Sequence, residues 1–354
     1  MGGTVMPVKE RVRVGKMNDW LEIPQPRLGA VGLLVLLVLG SLTAPLSLDM
    51  YTPSIPNMAS YFSTTDDVVN LTLVGYYLFM AVGLLIIGPL SDKFGRKPVL
   101  LAGLACYCLS SLVCAASVSI WMLIGARVVE ALSSGAMSAV CTAVVKDAVK
   151  DAYRERMLAI IQIIFVIGPV AAPIIGAGIL AVANWRGVFV VLAAVSALEF
   201  LMALVFKETL PAQNRVTTSL PATLARLGHV AKNRAFLFFL LITSAWEIGY
   251  MAYVSVGSYI YIDFFGFSAL GFSLFFATVA LTNALGPAAW LKISKNVTHR
   301  FFTSLAIVCT IVVGILILLV GRSNAFVFCG LFLVFAFFES AVRPYAVNIL
   351  LAQQ

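Results

Sequence analysis

Gly88-Pro-Leu-Ser-Asp-Lys-Phe-Gly-Arg-Lys-Pro-Val-Leu100 is a short charged turn held between two long apolar runs, Val68–Pro89 and Pro98–Ser119. Each run reaches the roughly 20 residues that a helix needs to cross a bilayer. The turn sets one acid, Asp92, and three bases, Lys93, Arg96 and Lys97, at a membrane face, with Gly88 ahead of them and Gly95 among them. Two spans joined by so short a connection form a helical hairpin, and its tip carries more fixed chemistry than a plain turn requires.

The same alternation of apolar runs and charged turns extends along the whole chain. Hydrophobic residues make up 61% of the sequence and charged residues 11%, against about a quarter charged in soluble domains. A soluble fold of this size could not hide so much apolar surface, so the composition indicates an all-α polytopic membrane protein. Ten spans are expected, at 29–50, 68–90, 98–118, 120–145, 157–182, 187–206, 235–260, 268–291, 301–320 and 325–350.

Orientation follows from the distribution of basic residues. With the N-terminus in the cytoplasm, nearly all of the 24 Lys and Arg residues fall on inside segments. The outside turns hold only Arg186 and Arg322, and Arg127 and Arg343 lie within spans. The net charge of +8 is accounted for by this asymmetry and requires no nucleic acid. A basic stretch precedes the first span, which is too long for a signal peptide and reads as uncleaved. Met17 is an alternative start. All six cysteines sit within spans without a C-x-x-C, and both histidines, His229 and His299, lie at cytoplasmic edges. No metal site and no cofactor are expected.

The one long polar connection, 207–234, contains two prolines and separates six spans from four. The expected organisation is a cytoplasmic N-terminal segment 1–28, a six-helix bundle 29–206, a cytoplasmic linker 207–234 and a four-helix bundle 235–354.

The hairpin tip resembles the loop between the second and third helices of major facilitator superfamily transporters, whose pattern reads G-x-L-x-D-[RK]-x-G-[RK]-[RK]. Gly88, Leu90, Asp92, Lys93, Gly95, Arg96 and Lys97 fall on it in register. The resemblance implies two helical bundles related by a two-fold axis along the membrane normal, with a substrate site between them at mid-bilayer. It also implies twelve helices, so the fold is expected to be truncated after about ten. In that family the loop is a conformational latch, in which Asp92 and Arg96 would join a charge network meeting the start of an eleventh span, here beyond the last residue.

Asp49 closes the apolar part of span one in Leu46-Ser-Leu-Asp-Met-Tyr-Thr-Pro-Ser-Ile-Pro56. A carboxylate at membrane depth usually faces a cavity or a partner. The Asp-Met-Tyr-x-Pro-x-x-Pro run resembles span one of the bicyclomycin/chloramphenicol-resistance branch of drug:proton antiporters. A solvated interfacial acid remains the alternative reading. In span four, Arg127 and Glu130 share a helix face at a spacing that permits pairing. Arg127 matches an arginine implicated in proton transfer in proton-linked facilitators, which usually have glutamine where this chain has Glu130. The pair is read either as a proton-coupling element with Asp49 or as a structural ion pair.

Span five contains Gly168-Pro-Val-Ala-Ala-Pro-Ile-Ile-Gly176, a run suited to a bent and closely packed helix. Gly168 and Pro169 match the antiporter signature G-x-x-x-G-P-x-x-G-G, while Ile164 and Ala172 replace two of its glycines; Pro173 and Gly176 complete the expected packing motif. Glu199, Glu247, Glu339 and Arg343 are further intramembrane charges, with Glu339 and Arg343 spaced as a helical pair. Glu247 opens an aromatic stretch with Tyr250, Tyr253, Tyr259 and Tyr261. With Asp49 and Tyr51, the residues Glu247, Tyr250 and Tyr253 are candidates for holding a lipophilic cation, or else belong to an interface belt.

The expected function is proton-coupled efflux of small lipophilic drugs across a bacterial cytoplasmic membrane, by a monomer working through alternating access. A proton-coupled importer of a small metabolite and a non-transporting receptor or scaffold remain open. No Ser-His constellation, metal cluster or phosphate-binding glycine loop supports an enzyme.

Overall fold

The computed structural model describes residues 20–216, 233–293 and 297–352. Met17, His229, most of the expected N-terminal segment and the middle of the expected linker lie outside the described residues. Ten long helices account for most of what is described. They are α1 (Gly29–Asp49), α2 (Asp66–Phe94), α3 (Arg96–Ala115), α4 (Ile120–Ala148), α5 (Asp151–Val182), α6 (Trp185–Val205), α7 (Arg234–Ser258), α8 (Ala269–Ile293), α9 (His299–Val320) and α10 (Ala325–Ala352). Each lies where a span is expected. Eight of them carry an apolar window long enough to cross a membrane, and α5 contributes the shorter apolar stretch Ile167–Val182. Among the described residues there is no strand, only an isolated antiparallel bridge between Leu21 and Val149.

Local chemistry explains where these helices start and stop. Asp66 and Asp67 sit in the first turn of α2, where negative charge opposes the positive end of the helix dipole. Ser119 caps α4, its hydroxyl accepting from Met122 N–H at 3.2 Å. Between α2 and α3 the chain reverses at Gly95, whose φ of +102° is open to glycine and strained for any other residue. Beyond α1, Pro53 and Pro56 open two short helical turns, Thr52–Ser54 and Pro56–Tyr61, at the helix-start position that a residue without an N–H tolerates.

Contacts divide the chain into two compact units. The first comprises 1–47, 71–165 and 186–220; the second comprises 48–70, 166–185 and 221–354. The C-terminal end of α1 and the second half of α5 thus group with the last four helices.

In the first unit, α2 and α4 approach backbone to backbone. A Cβ at Gly83 would stand 2.5 Å from the Leu132 carbonyl oxygen, and one at Gly135 would collide with the backbone of Met80. In the second unit, Gly176 of α5 packs against the backbone of Met50. The Ser273 hydroxyl of α8 lies 2.8 Å from the Pro173 carbonyl and 2.8 Å from that of Ala269. The proline-interrupted helix is therefore pinned at Pro173 and Gly176. Gly168 is buried and Pro169 half-buried one to two turns earlier.

Aromatic rings fill the space between α7, α8 and α10. Tyr253 stacks on Phe332 at 4.1 Å, and Tyr261, in the π-helical turn Tyr259–Phe264, stacks on Phe275 at 4.5 Å. By contrast, α9 leaves Phe301, Val308, Ile311, Leu318 and Leu319 exposed. In water such a face would be unstable, whereas lipid covers it at no cost.

Candidate functional site

The hairpin tip is built around Arg96. Its side chain is buried although it carries a full charge, because three partners surround it. Arg96 Nη1 lies 2.6 Å from Asp92 Oδ1 and donates to Ser91 Oγ at 2.7 Å, and Nε donates to Asp147 Oδ2 at 2.8 Å. Asp92 and Arg96, singled out in the sequence, are thus joined by Asp147 from the end of α4.

A third acid completes the cluster from the other side. Glu208 Oε1 accepts the backbone N–H of Arg96 at 3.0 Å, and Oε2 accepts that of Lys97 at 3.1 Å. These are two of the N–H groups left free at the start of α3, and the carboxylate also meets the positive end of its dipole. Gly95 makes this possible, since a Cβ there would stand 2.5 Å from Glu208 Oε2. Lys97 Nζ donates to the Leu204 carbonyl at 2.7 Å, and Val216 N–H donates to the Asp92 carbonyl at 3.0 Å. Gln25 and the backbone of Lys207 exchange hydrogen bonds of 3.1 and 2.7 Å. The first residues of the connection after α6 are in this way tied to the tip and to the foot of α1. Lys93 approaches the ring of its neighbour Phe94 at 5.6 Å, and Gly88 is half-buried on α2.

Deeper in the same unit, Arg127 and Glu130 form an ion pair of 2.9 Å, their side chains 1% and 0% exposed. Arg127 Nη1 also lies 3.0 Å from the Ser47 carbonyl and 2.9 Å from its hydroxyl. The guanidinium carbon stands 4.2 Å from the centre of the Tyr76 ring and 5.7 Å from that of Phe189, a cation–π arrangement. Ser111 donates to Glu130 Oε1 at 2.7 Å, and the Cys114 thiol lies 3.9 Å from Oε2. Both charges are engaged, with α1, α2, α3, α4 and α6 each contributing a group. Ser47 was not anticipated; it fastens Arg127 two residues before Asp49.

In the second unit, Asp49 is 4% exposed, and no ion pair among the described residues includes it. Tyr250 lies within electrostatic range of Asp49, Glu339, Arg343 and Glu247. Arg343 is shared by two acids, at 2.9 Å from Glu247 and 2.8 Å from Glu339. Glu339 also accepts from Asn283 at 2.9 Å. Of the candidates for holding a cation, Glu247 is thus tied to Arg343, and Tyr250 feels the charges of both Asp49 and Glu247. Tyr253 belongs to the aromatic stack, and Tyr51 is fully buried with its hydroxyl 2.9 Å from the Met58 sulfur.

The Major Facilitator Superfamily family matches residues 37–353. The chain is 33% identical over 249 residues to the uncharacterized MFS-type transporter YdgK of Bacillus subtilis (strain 168), covering 70% of this chain and 62% of that protein. It is 29% identical over 237 residues to the bicyclomycin resistance protein homolog of Haemophilus influenzae, covering 67% and 60%. To the chloramphenicol resistance protein of Pseudomonas aeruginosa it is 30% identical over 241 residues, covering 68% and 57%. The matched chain thus spans less than two thirds of the length of these relatives. Among solved structures, a bacterial homolog of the human lysosomal transporter Spinster, inward-facing and unoccupied, superposes with a TM-score of 0.69 at 16% identity, over 91% of this chain and 78% of that one. The D-xylose–proton symporter gives a TM-score of 0.62 at 15% identity, over 91% and 86%. These two likenesses concern the fold. A signature loop closed around a buried arginine, a second buried arginine fixed to α1 and eight helices long and apolar enough to cross a membrane among the described residues agree with the match: the chain is a multi-pass membrane protein of the Major Facilitator Superfamily, similar within it to the bicyclomycin/chloramphenicol-resistance branch.

Proposed function

We propose that this protein exports small lipophilic drugs across the bacterial cytoplasmic membrane in exchange for protons, with its N-terminus in the cytoplasm. The observation that carries the reading is Asp49, a carboxyl buried at the end of α1 without an ion-pair partner among the described residues, in range of Tyr250. An acid so placed is costly unless it binds a proton or a cation in turn. Relatives bearing the names bicyclomycin resistance, chloramphenicol resistance and, in Shewanella oneidensis, multidrug resistance protein MdtL support drugs as the cargo.

In the proposed cycle Asp49 takes a proton from outside, and its neutralisation favours closure of the outer face. Release of the proton to the cytoplasm leaves a carboxylate for a cationic drug, beside Glu247 and the Tyr250 ring. Arg127, held to Ser47, keeps the end of α1 in register with α4, while Glu130 balances its charge. The cluster of Asp92, Arg96, Asp147 and Glu208 latches the cytoplasmic face. A membrane potential of about 100 mV supplies about 2.3 kcal/mol per inward charge.

The test is ethidium efflux from energised cells, with and without a protonophore, beside Asp49→Asn. Efflux abolished by the protonophore and by the substitution is expected. Full efflux driven by a pH gradient in Asp49→Asn would refute the role given to Asp49.

A further inference from the structure

Among the described residues of the first unit, Glu199 is the one fully buried acid that neither the hairpin-tip cluster nor the Arg127 pair uses. It lies on α6 with its side chain turned away from Leu198 and Leu201, which are exposed, and it is itself 1% exposed. Its Oε1 stands 3.5 Å from the Thr43 hydroxyl of α1, and its Oε2 has no hydrogen-bond partner. The titratable group that faces it from α4 is the Cys141 thiol, which supplies no positive charge. No ion pair among the described residues includes it. The contrast with Glu130 is instructive, because that acid has a guanidinium, a hydroxyl and a thiol around its two oxygens.

An ionised carboxylate in such surroundings loses its hydration and gains little in return. The Thr43 hydroxyl has a second acceptor, the Leu39 carbonyl, at 3.1 Å. When the carboxyl carries a proton, it can donate to Thr43 while Thr43 donates to Leu39. When the proton leaves, Thr43 must turn its hydrogen toward the carboxylate and give up the bond within α1. We infer that Glu199 is a proton-exchanging site of the N-terminal helices, separate from Asp49, whose occupancy is read by α1 through Thr43. The proton leaves as such and no other bond is made or broken. The inference deepens the proposed proton coupling and, as a role in transport, rests on it.

The protonation step is tested without transport. Protein purified into lipid is followed by infrared difference spectroscopy as pH is raised through neutrality, for the wild type, Glu199→Gln and Thr43→Val. A protonated-carboxyl band that titrates in the wild type, is missing in Glu199→Gln and moves in Thr43→Val is the expected result. A Glu199 band that persists unchanged across the range would make it a permanently neutral packing residue. No band at any pH would make it permanently ionised. Either result overturns the inference. Ethidium efflux in the same variants separates the two proposals, because a titrating band with no efflux even in the wild type overturns the transport reading alone. With wild-type efflux present, Glu199→Gln is expected to flatten its pH profile, and an unaltered profile would remove Glu199 from coupling.

Discussion

Arg127 Nη1 lies 2.9 Å from Glu130 Oε2, and both side chains are closed off from solvent, so the two charges exist in the fold as one neutral unit. Removing one member leaves the other buried and unpaired, which costs about 3–5 kcal/mol. Glu130→Ala is expected to lose roughly that much stability in unfolding titrations in detergent micelles. Glu130→Gln, which keeps the volume and can still accept from Arg127 and Ser111 but carries no charge, should lose nearly as much. A much smaller loss in Glu130→Gln would assign the effect to packing and hydrogen bonding and not to charge.

Glu208 ties the connection after α6 to the start of α3 through two charge-assisted bonds, each contributing about 1.5–3 kcal/mol. Glu208→Ala should free the segment containing Arg215, which pairs with Glu208 at 3.9 Å. Tryptic cleavage after Arg215 in inside-out vesicles is expected to speed up about tenfold, the factor that about 1.4 kcal/mol provides. Gly95→Ala should act in the same direction, through strain at φ +102° and through collision with the carboxylate. An unchanged cleavage rate in both variants would mean that Glu208 does not hold this segment to the hairpin tip.

Asp263 lies outside the spans, in the turn after α7, and its carboxyl is held above the usual range by partial burial and by Asp66. A raised folded-state value means that ionisation opposes folding. The penalty is present above that value and relieved as pH falls through it. Because the group is largely exposed, solvent screening limits the effect to a few tenths of a kcal/mol, ~0.5 or less. Asp263→Asn should raise the midpoint of thermal unfolding slightly at neutral pH and not in acid. A lower midpoint at neutral pH would contradict the sign.

The α2–α4 seam depends on having no side chain at Gly83. Gly83→Ala places a methyl 2.5 Å from the Leu132 oxygen and should cost about 1–3 kcal/mol, as overpacking does. Gly125→Ala on the same α4 meets nothing within 4 Å and should be neutral or stabilising by up to about 1 kcal/mol. Thermal midpoints of the two variants in one detergent make the comparison, and similar midpoints would rule out the seam.

The helices were legible because a span is written as some twenty apolar residues, and Asp66, Ser119 and Gly95 mark their ends in ways that local chemistry dictates. The hairpin tip was legible for the same reason, its residues being contiguous. Asp147 and Glu208 were not. Each is a single acid beside a lysine at a helix end, where charge is ordinary, and only the packing of α3 against α4 and α6 gives it a partner. Ser47 was hidden differently: its carbonyl and hydroxyl are common groups, and their role comes from facing Arg127. The aromatic run from Tyr250 to Tyr261 has a helical spacing that suits a pocket wall or a core equally well, and the structure places Tyr253 in a stack and Tyr250 beside acids.

The glycine contacts between α2 and α4 do not stand alone. Toward one end of the same two helices Tyr76 covers Arg127, and toward the other Arg96 is clasped by Asp92 and Asp147. These are three rungs on one ladder. Backbones in contact at the middle rung cannot roll or slide past each other without breaking the outer two. The pair is therefore a stiff strut, and a push delivered at Arg127 arrives at Arg96 as the displacement of a single lever.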